Sequence, residues 1–334
     1  MNSTKRVLLE SIEKLGGFRL MQWRYKNKPQ ILMYHRVIDM PSVRGMTPAL
    51  FERQLIYLRN HFRIVPMQTL VAELKTGNIQ PYTLALTFDD GHFDFYAHAW
   101  PLLRKYKLPA TLYITTGFVD GTHWLWPDLI KYLLTTHTLV GEGRDSIELQ
   151  PLGQLSTSPT NIDETWNKIG DYCLTLPVVE RNHFIQRLAQ RLNVSFPSQP
   201  QSPFQAVTWD QLREMHREGL DIASHTMSHP LLSTLDSHSL HQELHMSANR
   251  IQQELGFMPL GICYPNGREE DISPAVIHQA QSLGYHYGVL ARNYPSNAEH
   301  VFLLGRVSAQ QDFTYFKWSL SRQQPITDQV PFDY

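Results

Sequence analysis

Two groups of residues in this 334-residue chain have the types and spacing that hydrolytic chemistry needs. The apolar run Thr83-Leu84-Ala85-Leu86-Thr87-Phe88 ends in Asp89-Asp90-Gly91, and Ser224-His225-Thr226-Met227-Ser228-His229-Pro230 follows a second apolar run. Divalent metals of the zinc type bind imidazole nitrogen and carboxylate oxygen, and a catalytic site uses three protein ligands while keeping one position for water. His225 and His229, four residues apart, would share one side of a helical turn and converge on one ion, with an aspartate completing the set. Neighbouring aspartates diverge on a strand, so only the turn toward Gly91 lets both reach one pocket. One can then bind metal while the other takes a proton from water. Each motif also has a plainer reading alone: Asp-Asp-Gly as a turn with an N-cap, His-x-x-x-His as a solvated helix face. Their shared position after apolar strands favours a site. His241 and His245 repeat the spacing in a polar helix with Glu243 and read as surface.

The elements that would position these residues alternate. Short apolar, β-branched runs at 31–34, 83–88, 110–115, 220–224, 260–264, 285–290 and 301–307 read as strands, and 48–62, 67–76, 93–106, 208–218, 240–255 and 274–283 read as helices. Thr47 and Thr208 stand where N-caps are expected. The alternation predicts an α/β fold with a parallel sheet. Seven such strands form either a barrel or an open doubly wound sheet. Polar residues gather at strand exits, as Asp89, Asp90, Ser224, His225 and Tyr264 do, which favours an incomplete (β/α)7-type barrel. Residues 118–206 break the rhythm and are expected to form a largely helical insertion over the active face. The expected organisation is a basic amphipathic segment over 1–28, a barrel domain over 29–310 containing that insertion, and a tail over 311–334.

With those residues in place, the chain resembles the polysaccharide deacetylases of the NodB-homology class, carbohydrate esterase family four. Thr87-Phe88-Asp89-Asp90-Gly91 is similar to that family's first motif and Ser224 to His229 to its second. Ile31-Leu32-Met33-Tyr34-His35 and Phe51-Glu52-Arg53-Gln54-Leu55 are similar to the branch acting on exopolysaccharides and poly-N-acetylglucosamine. The resemblance implies metal-dependent hydrolysis of N-acetyl groups on a sugar, with Asp90, His225 and His229 as ligands and Asp89 as general base. The ligand types suit one Zn2+, and also accept Co2+, Ni2+ or Fe2+. Tyr264-Pro265-Asn266-Gly267 is similar to the third motif, which implies an oxyanion donor in the backbone N–H of Tyr264; a plain Pro-Asn-Gly turn is the alternative. Two departures stand out. No arginine accompanies that motif, so Arg306, at the last strand's exit, is expected to pair with Asp89. The family's Leu-His pair is missing from the last strand, and His35 is expected to supply the general acid, or else to cap its strand. The rivals are a deacylase of non-sugar amides and a glycan-binding protein without catalysis. A glycosidase is disfavoured, because its carboxylates must flank a bond about 5–9.5 Å apart.

The resemblance implies an N-acetylated glycan as substrate, and composition argues against nucleic acid as a partner. A net charge of -1 and a pI of about 7.0 leave no general cationic surface for nucleic acid. Residues 1–30 differ, with Lys5, Arg6, Lys14, Arg19, Arg24, Lys26 and Lys28 against Glu10 and Glu13. Val7, Leu8, Leu9, Ile12, Leu15, Phe18 and Leu20 recur there at roughly helical spacing, as in a helix resting on an anionic membrane or packed on the domain. Neither a spanning stretch nor a cleavable signal is read in that segment, so a cytoplasmic or membrane-peripheral location is expected. Cys173 and Cys263 read as buried small hydrophobes. Trp124, Trp126, Tyr285, Tyr287 and Tyr294 are candidates for stacking on sugar rings at the rim.

Overall fold

A computed structural model describes residues 3–40, 43–140, 145–268, 271–292 and 298–321. The apolar runs become the parallel strands β1 (Gln30–Tyr34), β3 (Thr83–Phe88), β4 (Thr111–Ile114), β7 (Asp221–Ser224), β8 (Gly261–Cys263) and β9 (Tyr287–Val289). Covered on both faces, they have no need of polar alternation. A two-residue strand, β2 (Arg63–Ile64), pairs with the start of β3, and β10 (Val307–Ser308) pairs with β1. The sheet order is β10-β1-β3-β4-β7-β8-β9. The result is a curled half-barrel, the parallel sheet that the alternation predicts in the incomplete-barrel form that the polar strand exits favour.

The last predicted strand is shorter than 301–307. Leu304 makes a single parallel bridge to Val289, while Val307 and Ser308 pair with Leu32 and Met33. The segment 304–308 therefore touches both outer strands and spans the gap in the barrel. Arg306 lies in that span.

Side chains alternate across the strands. Ile31, Ala85, Tyr113, Ala223, Cys263, Tyr287 and Val289 belong to one apolar cluster, and Leu32, Leu84, Leu86, Leu112, Ile114 and Ile222 to another that includes residues of the helices α3 (Pro48–His61) and α5 (Trp100–Tyr106). Both predicted caps form. Thr47 accepts the Leu50 N–H, and Thr208 forms a reciprocal capping box with Gln211 at the start of α10 (Trp209–Arg217). The helix predicted over 93–106 instead begins as a π-helical turn, Phe95–Ala99, before α5. Pro101, in the first turn of α5, has no N–H to continue a regular ladder.

Between β4 and β7 the insertion builds its own core. After the short α6 (Thr116–Val119), helices α7 (Trp126–Val140), α8 (Ile162–Leu174) and α9 (Val178–Leu192) pack with a hairpin of β5 (Ser146–Leu149) and β6 (Gly153–Ser156). Ile130, Trp166, Ile169, Cys173, Phe184 and Leu188 are buried among them. The hairpin was not foreseen.

At the other end of the chain, the predicted amphipathic segment is two helices. Gly16, at φ +79°, breaks it into α1 (Ser3–Lys14) and α2 (Gly17–Arg24), a backbone conformation that glycine tolerates without strain. Both pack on α13 (Phe313–Ser321), with Leu9 and Phe18 buried, Phe18 against Trp318, and Lys317 paired with Glu13. No described helix is long and apolar enough to cross a membrane.

Candidate active site

The strand β3 brings Asp89 to its carboxyl end, and the next two residues reverse the chain. Asp90 has φ +75° and Gly91 φ +90°. The left-handed region is uncommon for a non-glycine residue, and such strain collects at functional sites. Here it explains how sequence neighbours reach one pocket. Both carboxylates are buried, at 3% and 1% exposure.

Asp89 is held by a guanidinium. Arg306, itself 1% exposed, donates from Nη1 to Oδ1 at 2.7 Å and from Nη2 to Oδ2 at 2.6 Å, so the expected pairing is present and bidentate. Arg306 also donates from Nε to the Leu290 carbonyl, which fixes the fork. Burial would raise the Asp89 carboxyl, but the Arg306 charge and its hydrogen bonds, with a smaller contribution from His35, hold it well below the usual carboxylate range. The base candidate is ionised. His35 stands at the exit of β1 with Nε2 3.7 Å from Asp89 Oδ2 and its side chain partly open to solvent.

The histidines do not share a helical turn. Residues 225–231 form an irregular loop in which Thr226 and His229 have φ +68° and +59°. Local hydrogen bonds hold it: Ser224 Oγ accepts the Thr226 N–H, and Thr226 Oγ1 accepts the His229 N–H. Glu243, from α11 (Ser237–Leu255), accepts the N–H groups of Met227 and Ser228. Gly117 donates to the Met227 carbonyl at 2.8 Å, and a Cβ there would lie 2.7 Å from that oxygen. Close approach requires glycine.

The loop and the turn meet. His225 Nε2 and His229 Nε2 lie 3.5 and 3.9 Å from Asp90 Oδ1, and the three donor atoms fall within 4.8 Å of one another. Burial, the largest influence on each, pushes His225 down to about 4 and His229 well below its ordinary value, so both rings are neutral at pH 7. His225 Nδ1 sits 2.8 Å from the Cys263 carbonyl and must carry the proton to bond it. Its Nε2 lone pair therefore faces a buried carboxylate. A divalent cation resolves that repulsion, and the residues present fit one.

Four contributors escaped the sequence reading. His92 is bonded to one carboxylate and stands beside another, with Nε2 2.6 Å from Asp128 Oδ2 on α7 and Nδ1 3.7 Å from Asp90 Oδ2, beyond hydrogen-bond reach. Asp128 thereby ties the insertion to the Asp90 side of the site. Glu243 braces the histidine loop rather than lying on the surface, whereas His241 and His245 are exposed as expected. Cys263 is buried as expected but does more than fill space: its Sγ contacts Asp89 at 3.5 Å and Arg306 at 3.1 Å. Burial raises its thiol well above the ordinary value, so it stays protonated.

Two expectations are corrected. The Tyr264 N–H donates to the Val289 carbonyl at 3.2 Å, continuing the β8–β9 ladder, and is not available to an oxyanion. Of the rim aromatics, Trp126, Tyr285 and Tyr287 are core residues, Trp124 is half-buried, and Tyr294 lies outside the described residues.

A parallel half-barrel with a buried Asp–His–His cluster at its strand ends defines the class of (β/α) proteins that place a metal-type site on the carboxyl face. The sequence profile of the polysaccharide deacetylase family matches residues 76–143 and 172–288. The chain belongs to that family. It is 34% identical over 82 residues, 24% of its length, to the poly-beta-1,6-N-acetyl-D-glucosamine N-deacetylase of Staphylococcus aureus, and 26% identical over 141 residues, 39% of its length, to the putative polysaccharide deacetylase YxkH of Bacillus subtilis. Those stretches span 28% and 48% of the two relatives. Two solved structures share the fold. The Streptococcus pyogenes deacetylase PplD, in complex with acetate, aligns with TM-score 0.59 and 19% identity over 89% of this chain and 99% of its own. IcaB from Ammonifex degensii aligns with TM-score 0.57 and 17% identity over 89% and 97%.

Proposed function

We propose that the protein is a metal-dependent hydrolase that removes N-acetyl groups from N-acetylated sugars of a polysaccharide or its oligosaccharide precursor. One observation carries this reading: two adjacent carboxylates have opposite environments. Asp90 faces two neutral imidazoles, and Asp89 is locked in its ionised form by Arg306. Asp90, His225 and His229 are the ligands, and Zn2+ is the ion their types suit best. When bound, the cation polarises the amide carbonyl and makes water more acidic. Asp89 takes the proton from the attacking water; oxygen bonds to the carbonyl carbon, the C–N bond breaks, and acetate and an amine leave. His35, 3.7 Å from Asp89 and partly open to solvent, gives the proton to the departing nitrogen.

The named activity of the Staphylococcus aureus relative makes β-1,6-linked N-acetylglucosamine the first substrate to test. Zinc-loaded protein is expected to release acetate from such oligomers and not from small N-acetyl amides. Oligomer binding without acetate release would contradict the reading, and equal rates on simple amides would make it a general deacylase. His35→Gln is expected to retain metal while turnover falls by ~10²–10⁴; wild-type rates would remove the residue from that role.

A further inference from the structure

The helices α1 and α2 are half packed. Leu9 and Phe18 turn inward against α13, yet Val7, Leu8, Leu15, Leu20 and Trp23 are between 59% and 88% exposed, five of the ten large apolar side chains exposed among the described residues. At about 100° per residue Val7 and Leu8 lie off the Leu9 face of α1, and Leu15 stands exposed in the turn between α1 and α2. On α2, Leu20 and Trp23 point away from Phe18 and are flanked in sequence by Arg19 and Arg24. The segment's two acids are engaged, Glu10 with Arg6 and Glu13 with Lys317, so the other cations, Lys5, Lys14, Arg19, Arg24, Lys26 and Lys28, dominate the outward field. A groove of about 660 Å3 runs from His35 past Gln310 and Tyr315 to Lys5 of α1.

We propose that the outward faces of α1 and α2 are a docking surface for an anionic lipid bilayer, which sets the mouth of this groove at the membrane. An apolar surface with a cationic surround is the chemistry an acidic interface binds, and a neutral protein partner would not call for the cations. The consequence for catalysis rests on the deacetylase reading: a glycan tethered to the membrane enters the groove at Lys5 and reaches His35 without leaving the surface.

Flotation with phosphatidylcholine vesicles, with and without roughly one-third phosphatidylglycerol, tests the docking itself. The full chain is expected to float with the anionic vesicles and not with the neutral ones. The pair Leu15→Asp with Trp23→Asp, and separately Arg19→Glu with Arg24→Glu, should lower the bound fraction at least about tenfold. Both variants should keep wild-type acetate release from a soluble oligomer while losing rate on the same oligomer linked to vesicle lipid. No flotation, or flotation unchanged in both variants, overturns the proposal. So does a wild-type dimer in light scattering that Leu15→Asp with Trp23→Asp dissolves, since the face would then belong to a second copy. Failure of acetate release from the soluble oligomer would sink the deacetylase reading alone, because flotation needs no turnover.

Discussion

The carboxyl rim of the half-barrel and the α1–α2 cap depart from ordinary folding rules in opposite directions. The rim buries Asp89, Asp90, His92, His225, His229 and Arg306, all at 3% exposure or less, whereas the cap leaves Leu15 at 88%. Each arrangement costs stability, through desolvated charge in one and wetted apolar surface in the other. At the rim, internal partners offset that cost: Arg306 for Asp89, Asp128 for His92, Glu243 for the histidine loop. At the cap Lys26 lies over the Trp23 ring, which still stays 59% exposed, and Leu15 is left in solvent. A rim substitution should therefore damage the fold together with the chemistry, while a cap substitution should leave both intact.

The largest effect should follow Arg306→Leu, which leaves the Asp89 carboxylate buried without its counter-charge. Urea unfolding is expected to show a loss of about 3–5 kcal/mol. The acid limb of the pH–rate profile should also move to higher pH, since Arg306 holds the Asp89 carboxyl low. Arg306→Lys restores the charge without the fork and should recover only part of either. A loss below 1 kcal/mol would break the contrast with the cap.

Acid should act next. His225 titrates at its ordinary 6.5 when unfolded and at about 4 when folded, so between those values the unfolded chain binds the extra proton. Stability of the metal-free protein should then fall as pH drops from 6.5 to 4, by up to ~1.4 kcal/mol per pH unit from this residue. His229 is shifted in the same direction. Thermal melts across that range check it; metal-loaded protein should begin its loss at lower pH, because the ion competes for the same lone pairs. A flat pH profile without metal would mean that the imidazoles are not buried neutral.

Asp128→Asn should be milder. It weakens the bond that orients His92 beside Asp90, and metal affinity by competitive chelation should drop about 10–100-fold. Smallest of all, Leu15→Asp should shift unfolding by no more than about 0.5 kcal/mol and leave turnover on soluble oligomers unchanged. A larger shift would show that the cap is structural.

What was legible in the sequence is what depends on neighbours. Asp89-Asp90-Gly91 and His225 to His229 announce themselves by spacing, and β3 and β7 by unbroken apolar runs. Arg306 could be paired with Asp89 because the third motif lacks the arginine that the family resemblance calls for, and Arg306 stands at the last strand's exit. Helical convergence of His225 and His229 was wrong in mechanism, since positive φ at Thr226 and His229 does that work and leaves no periodic trace. Asp128, 36 residues from His92, and Glu243, 14 from His229, approach only through tertiary packing. Tyr264 misled because a motif names a backbone N–H without showing whether a neighbouring strand has claimed it. The β5–β6 hairpin and the two-residue β2 were too short to register as periodic signals.

The division of labour between the adjacent aspartates is tested most directly by metal content measured beside turnover in Asp89→Asn and Asp90→Asn, with circular dichroism confirming that each is folded. Asp89→Asn should keep about one equivalent of metal while acetate release falls by ~10²–10⁴, and Asp90→Asn should lose the metal and the activity together. Folded Asp90→Asn that binds metal as wild type does, or Asp89→Asn that is folded but metal-free, would contradict the account.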